Sequence, residues 1–132
     1  VRPGDRLPGI PRHSLKARAD YVAGERWSGG LVLRYASPVY ARGDENNADR
    51  NGTLAGFVTV GLDARLAAGP GLEFYARVDN LLDRRYANFA VLGRNVFTGP
   101  GGSFDGLNPR AEQFRGVGAP RAAWAGVRYR LP

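Results

Sequence analysis

Five segments of this chain, each about ten residues long, alternate between apolar and polar side chains, and this pattern constrains the fold most. A period of two is typical of a β-strand, because successive side chains of a strand point to opposite faces. Gly and Pro recur throughout and interrupt most windows in which a helical period could be found. The five segments are His13–Val22, Trp27–Ser37, Ala55–Leu66, Leu72–Leu82 and Arg121–Leu131. We therefore predict an all-β fold, an antiparallel up-and-down meander of about five long strands.

In each segment one face is apolar and the opposite face carries full charges. The charged residues are Lys16, Arg18, Asp20, Arg34, Asp63, Arg65, Glu73, Arg77, Asp79, Arg128 and Arg130. The apolar faces carry aromatic residues near the segment ends, namely Tyr21, Trp27, Tyr35, Phe74 and Tyr129. A soluble sheet with one wet face alternates in the same way. A membrane barrel does too, and its charges face a water-filled lumen while its aromatics face lipid at the two interfaces.

The connections between the segments alternate in length. Ala23–Arg26 and Ala67–Gly71 are short, whereas Pro38–Leu54 and Arg84–Pro120 are long. Outer-membrane barrels combine short periplasmic turns with long extracellular loops, and a compact soluble domain rarely contains loops of the longer kind. We therefore expect a piece of a transmembrane barrel, with lumen-facing charges, lipid-facing aromatics and two extracellular loops.

The residue types exclude most catalytic and metal chemistry. The chain has no Cys, and a single His13 cannot build a multi-histidine metal site. Glu73 and Asp79 share a face but lie about 20 Å apart along one strand, too far for paired-carboxylate catalysis. We predict that the chain is not an enzyme and binds no cofactor.

Three acidic residues in the first long connection, Asp44, Glu45 and Asp49, raise the question of calcium. Hard cations bind several closely spaced oxygens, but the order of these residues does not follow that of an EF-hand loop. We interpret the segment as a solvated loop and predict no metal site.

The chain is basic, with a net charge of +7, and 18 of its 19 basic residues are Arg. Nucleic-acid binding would favour a cluster of basic residues, and here the Arg residues are spread along the whole chain. We therefore expect no nucleic-acid partner and attribute the Arg bias, beside abundant Ala and Gly, to a GC-rich genome.

Two stretches resemble the C-terminal end of a TonB-dependent outer-membrane receptor. One is Val78-Asp79-Asn80-Leu81-Leu82-Asp83, followed by Tyr86, and the other is the terminal strand ending Val127-Arg128-Tyr129-Arg130-Leu131. The family usually has Val-x-Asn-Leu-Phe-Asp and then Tyr, so that Val78, Asn80, Leu81, Asp83 and Tyr86 match and Leu82 departs. The family also usually ends in an aromatic residue, where this chain has Leu131 and then Pro132.

The resemblance implies a location and a set of partners. Residues 1–132 would be a C-terminal part of a barrel of about 22 strands in the outer membrane of a Gram-negative bacterium. A start at Val1 without any Met agrees with a fragment that lacks the plug domain. The implied partners are the remaining strands and plug, outer-membrane lipid, TonB through N-terminal parts, and a small metal chelate of the siderophore, haem or cobalamin class. Alternatives are another outer-membrane barrel such as a porin, a soluble secreted β-sheet binding module, or a basic nucleic-acid-binding β-domain.

Several structural expectations follow for this piece. Five strands fall short of the smallest membrane barrels, of about eight, so the sheet should be open. Asn80 and Asp83 should end a strand by bonding nearby backbone. Glu73 should lie between Arg65 and Arg130 on the neighbouring strands as a charge ladder. The second long loop has four phenylalanines available for packing or for ligand contact: Phe89, Phe97, Phe104 and Phe114.

Overall fold

All five alternating segments form strands of one antiparallel sheet. A computed structural model of the chain describes residues 2–131. Val1 and Pro132 lie outside the described residues, and so does the departure from the family's aromatic end at Pro132. The strands of the described part are β1 Ser14–Ala23, β2 Trp27–Ala36, β3 Phe57–Gly69, β4 Leu72–Asp79, β5 Ala87–Asn95, β6 Arg110–Val117 and β7 Ala122–Tyr129. The main sheet has the order β1-β2-β3-β4-β7, and every neighbouring pair is antiparallel. The predicted all-β meander is confirmed.

The main sheet is open, as expected for five strands. β1 and β7 are its two edges and do not pair with each other. An edge strand presents a row of unpaired backbone donors and acceptors that can pair with a further strand. No helix among the described residues is long and apolar enough to cross a membrane.

By its internal contacts the chain divides into two units. The sheet unit comprises His13–Ala36, Phe57–Arg85 and the chain from Ala119 onward. The connection unit comprises the chain up to Arg12, Ser37–Gly56 and Tyr86–Gly118. The strand ends that lead into the two long connections, those of β2, β3, β4 and β7, lie at one end of the sheet, and the short turns lie at the other.

The connection unit has secondary structure and a small core that the sequence analysis did not predict. The expectation of one long loop over Arg84–Pro120 is wrong, because β5 and β6 pair there as an antiparallel hairpin. The buried apolar core combines both long connections and consists of Val39, Ala41, Leu54 and Ala90. These segments therefore fold together, because each contributes apolar side chains that it could not bury alone.

The four phenylalanines of the hairpin region pack within that region. The ring of Phe89 lies over Gly116, and the ring of Phe114 lies against Gly93. Phe97 and Phe104 meet edge to face, with ring centroids 6.2 Å apart, in the turn that joins the two strands. Such aromatic pairs favour a defined turn conformation.

The same turn is held by a carboxylate, that of Asp105. Its oxygens accept hydrogen bonds from the Asn108 side chain and from the backbone N–H of Leu107 and Asn108. The Asn108 side-chain donor is the main reason why the pKa of Asp105 is lowered from its ordinary value.

The predicted charge ladder is wrong, because β3 continues to Gly69 and the turn into β4 is shorter than the predicted Ala67–Gly71. Gly69 lies opposite Leu72, and after a one-residue register shift Glu73 lies opposite Ala67 instead of Arg65. On its other side Glu73 lies opposite Arg128, whose Nη1 is 3.4 Å from Glu73 Oε1, instead of opposite Arg130. A bulge adds one residue to one strand, and any such shift changes which side chains are neighbours.

Candidate functional site

One face of the main sheet carries the predicted charges, and we call it the charged face. The strand register places ten of the eleven charged residues in successive rows across this face. The eleventh, Arg130, follows the last residue of β7, and its N–H donates a hydrogen bond to the Gly71 carbonyl. Lys16 lies opposite Arg34 in one row, and Asp63 lies opposite Arg77 in another.

Arg18 of the edge strand β1 forms two ion pairs on the charged face. Its Nη2 is 2.6 Å from Asp20 Oδ1 and its Nη1 is 2.8 Å from Asp63 Oδ2, so one guanidinium pairs with a carboxylate of its own strand and with one of β3. Asp63 lies on β3, and the guanidinium reaches it by passing over Gly30 of β2. A Cβ at Gly30 would lie 2.6 Å from the Arg18 Cζ atom. The absence of a side chain at Gly30 is therefore what allows this pairing across a strand.

Further pairs continue along the charged face. Arg77 Nε donates to Asp79 Oδ1 at 3.0 Å, and the Arg77 guanidinium lies 6.0 Å from the ring centroid of Trp124. Lys16, Arg34 and Arg65 form no ion pair within residues 2–131.

A hollow of about 890 Å³ opens on the charged face, lined by side chains of the sheet unit alone. Of the eleven predicted charges of this face, seven are cationic and four are anionic. The face therefore has an excess of positive charge, which favours anionic groups as its partners.

The opposite face, which we call the apolar face, is continuous across the five strands. One row runs Trp27, Leu66, Phe74 and Val127, and another runs Ala19, Leu31, Leu62, Val78 and Ala123. The predicted aromatics lie near its two ends. Tyr21, Trp27, Phe74 and Tyr129 lie toward the short turns, and Tyr35 lies toward the long connections. Many of these side chains are widely exposed, with Tyr21 73% and Trp27 53% accessible.

The Asn80 motif ends β4 and fixes the chain that returns into β7. Asn80 has φ of 49° and is buried, and its Nδ2 donates to the carbonyl oxygens of Arg84 at 3.0 Å and Ala119 at 3.1 Å. Its Oδ1 accepts from the Arg84 N–H, and Asp83 Oδ1 accepts from the Arg121 N–H. Asn and Asp tolerate this backbone conformation and bond nearby backbone groups. Both side chains thus act on the backbone of the sheet unit.

The other motif residues occupy neighbouring positions. Val78 lies on the apolar face opposite Leu62, and the Leu81 N–H donates to the Val60 carbonyl at 2.7 Å. Tyr86 begins the last segment of the connection unit, where its ring lies against the backbone at Gly118.

The arrangement of one apolar and one charged face is shared by many β-proteins, and a sequence comparison decides among them. The family described as TonB dependent receptor-like, beta-barrel matches residues 1–81. The chain belongs to this family. Its members are outer-membrane receptors and transporters of Gram-negative bacteria and not enzymes. The five-stranded sheet is thus a section of a receptor barrel, in accord with its all-β antiparallel topology.

The match includes Val78, Asn80 and Leu81 of the motif and ends before Asp83 and Tyr86. It also leaves out the terminal strand β7. No solved structure matches the chain significantly. Family membership therefore rests on residues 1–81, which include β1, β2, β3, β4 and the first long connection.

Two residues of the charged face were missed in the sequence analysis. Trp124 alternates with Ala123 and Ala125, so the period-two pattern already placed it on this face. Gly30 offered no such signal, because its role depends on the Arg18 guanidinium that crosses it.

Proposed function

We propose that the sheet unit is barrel wall whose apolar face contacts lipid and whose charged face lines the lumen of a TonB-dependent receptor. The apolar face carries this proposal. It extends over all five strands, and large side chains on it, such as Tyr21 and Trp27, stay widely exposed. A soluble sheet would bury such a face under a second layer, because extended exposed apolar patches favour association. Lipid provides the cover that the sheet lacks.

The aromatic positions and the connections support one orientation in the membrane. Aromatic residues near both ends of the apolar face fit the two girdles of an outer-membrane barrel. We place the short turns in the periplasm and the connection unit, with its hairpin of β5 and β6, on the extracellular side. The remaining strands of the barrel would pair with the edges β1 and β7.

The cargo that we propose is a scarce metal complex of the siderophore, haem or cobalamin class. The positive charged face would line the path of an anionic chelate or contact acidic groups of a plug domain. TonB would act through N-terminal parts of the receptor and would supply the energy for transport. No catalytic chemistry and no cofactor are part of this proposal.

Uptake in whole cells tests the proposal. A strain deleted for this gene should lose accumulation of one radiolabelled chelate from a panel of siderophores, haem and cobalamin. Complementation should restore accumulation, and a protonophore should abolish it. Uptake that persists after the protonophore would indicate a passive porin-like barrel, and unchanged uptake of all three classes in the deletion strain would contradict the proposed cargo.

A further inference from the structure

The turn after Ala41 in the connection unit buries a carboxylate. Asp44 is only 1% exposed and is the largest fully buried side chain of the described residues. Its Oδ1 accepts hydrogen bonds from the N–H groups of Ala48 at 2.8 Å and Asp49 at 3.1 Å. Its Oδ2 is buried and has no hydrogen-bond partner within residues 2–131. A half-satisfied buried carboxylate is costly unless another group compensates its charge.

A second carboxylate of the same turn, that of Asp49, also has a buried oxygen without a hydrogen-bond partner among the described residues. Asp49 Oδ1 accepts from the Asn51 side chain at 3.2 Å, whereas Asp49 Oδ2 is buried and without a partner in the described part of the chain. The two residues are adjacent in space, because the Asp49 N–H is bonded to Asp44 Oδ1. Neither forms a salt bridge with any Lys or Arg of residues 2–131. Two carboxylate oxygens of one small turn therefore lack both a basic side chain and a hydrogen-bond donor among residues 2–131.

We propose that residues 44–49 bind one Ca²⁺ ion, with Asp44 Oδ2 and Asp49 Oδ2 as its carboxylate ligands. The two N–H donors hold Asp44 Oδ1 in place and leave Asp44 Oδ2 available to a cation. Two neighbouring negative charges repel each other, and a divalent cation compensates both. This inference departs from the sequence-based prediction of no metal site, because burial of the two oxygens cannot be read from residue order.

The chemistry of the turn selects among cations. It has no His or Cys, the ligands that transition metals prefer, and Mg²⁺ requires near-ideal octahedral geometry, whereas Ca²⁺ accepts irregular sets of six to eight oxygens. Within residues 2–131 no group of three or more His, Cys, Asp or Glu side chains is placed to hold a metal. The other ligands would therefore be carbonyl, amide and water oxygens. With two carboxylates the site would be weak, with a Kd of about 10⁻⁴–10⁻³ M, as in extracellular modules.

Ordering this turn would affect the rest of the connection unit. Asn47, within the turn, exchanges two hydrogen bonds with the backbone of Arg6, at 2.6 and 3.0 Å. Just after the turn, the Gly52 carbonyl accepts from the Gln113 side chain of β6 at 3.0 Å. Ca²⁺ would thus stabilise contacts among all three segments of this unit.

Hydrogen–deuterium exchange of the full-length receptor in detergent tests the site. In peptides that cover residues 42–54, Ca²⁺ should slow exchange, with half the effect at about 10⁻⁴–10⁻³ M. Asp44→Asn and Asp49→Asn should each raise this concentration at least about tenfold. The control Asp105→Asn, whose carboxylate is only partly buried and already hydrogen-bonded, should respond like the unmodified protein.

Three results would overturn the proposal. The first is an unmodified protein whose exchange in residues 42–54 does not respond to Ca²⁺ up to several millimolar. The second is an Asp49→Asn variant whose exchange responds to the same Ca²⁺ concentration as that of the unmodified protein. This variant keeps the test valid if Asp44→Asn fails to fold. The third is equal protection by Mg²⁺ or by added NaCl, since that would indicate charge screening instead of a site.

Discussion

An arginine placed on the apolar face should destabilise the barrel, and Leu62 is the position where this effect is largest. Leu62 is the sixth of thirteen residues of β3. Five residues at about 3.4 Å each give about 17 Å from the strand start, and a tilt of about 45° reduces this to about 12 Å along the membrane normal. The apolar band of such barrels is about 25 Å tall, so Leu62 lies near the bilayer midplane. There Leu62→Arg should lower the free energy of unfolding by about 2–4 kcal/mol.

The matched control is the neighbouring residue on the charged face. A Cβ at Gly61 would lie 3.4 Å from Asp79 Oδ1, an ordinary contact distance beside an opposite charge, so Gly61→Arg should cost less than about 1 kcal/mol. Thr59 is a poorer control, because it is only 7% exposed. Denaturant titration of the receptor in lipid vesicles, followed by tryptophan fluorescence, measures both changes. Equal losses for the two substitutions would refute the assignment of the faces.

Three further predictions concern the turns and the motif. Gly71→Ala should lower the free energy of unfolding by at least about 2 kcal/mol. Gly71 has φ of 73°, and a Cβ there would collide with the carbonyl oxygen of Arg130. The control Gly69→Ala, with open space around its Cβ, should change the free energy of unfolding by less than about 0.5 kcal/mol. Asn80→Asp should cost about 2–3 kcal/mol in the same titration, because it removes both N–H donors from two carbonyls, and a cost near zero would contradict the structural role of the motif. Chymotrypsin added to intact cells should cleave after Phe104 or Leu107, which are 70% and 93% exposed, and cleavage only in opened cells would place this turn in the periplasm.

The strands of the main sheet could be predicted because their alternation is a local property of the sequence. Each segment from β1 to β4, and β7, has apolar residues at every second position, and the observed strand ends differ from the predicted ones by at most three residues. The hairpin of β5 and β6 could not be found in this way. Residues 87–95 do not alternate, and their partner strand follows only after a Gly- and Pro-rich turn.

The contacts of individual charges depend on features that the sequence pattern does not contain. The register between β4 and β7 decides that Glu73 pairs with Arg128, and the end of β3 at Gly69 decides that Ala67 lies on its other side. The reach of Arg18 on β1 to Asp63 on β3 depends on the missing side chain of Gly30, which lies on the strand between them. The burial of Asp44 results from tertiary packing, which residue spacing alone does not encode.

Spin-label scanning of β3 in the full-length receptor tests the barrel-wall assignment most directly. The chain has no Cys, so single cysteines can be introduced along residues 58–66 without competing thiols from this segment. We predict that accessibility to oxygen in lipid vesicles peaks at 58, 60, 62, 64 and 66, and that accessibility to a water-soluble relaxation reagent peaks at the residues between them. Access of the water-soluble reagent to both faces, without a period of two, would contradict the account and indicate a sheet that lies outside the membrane.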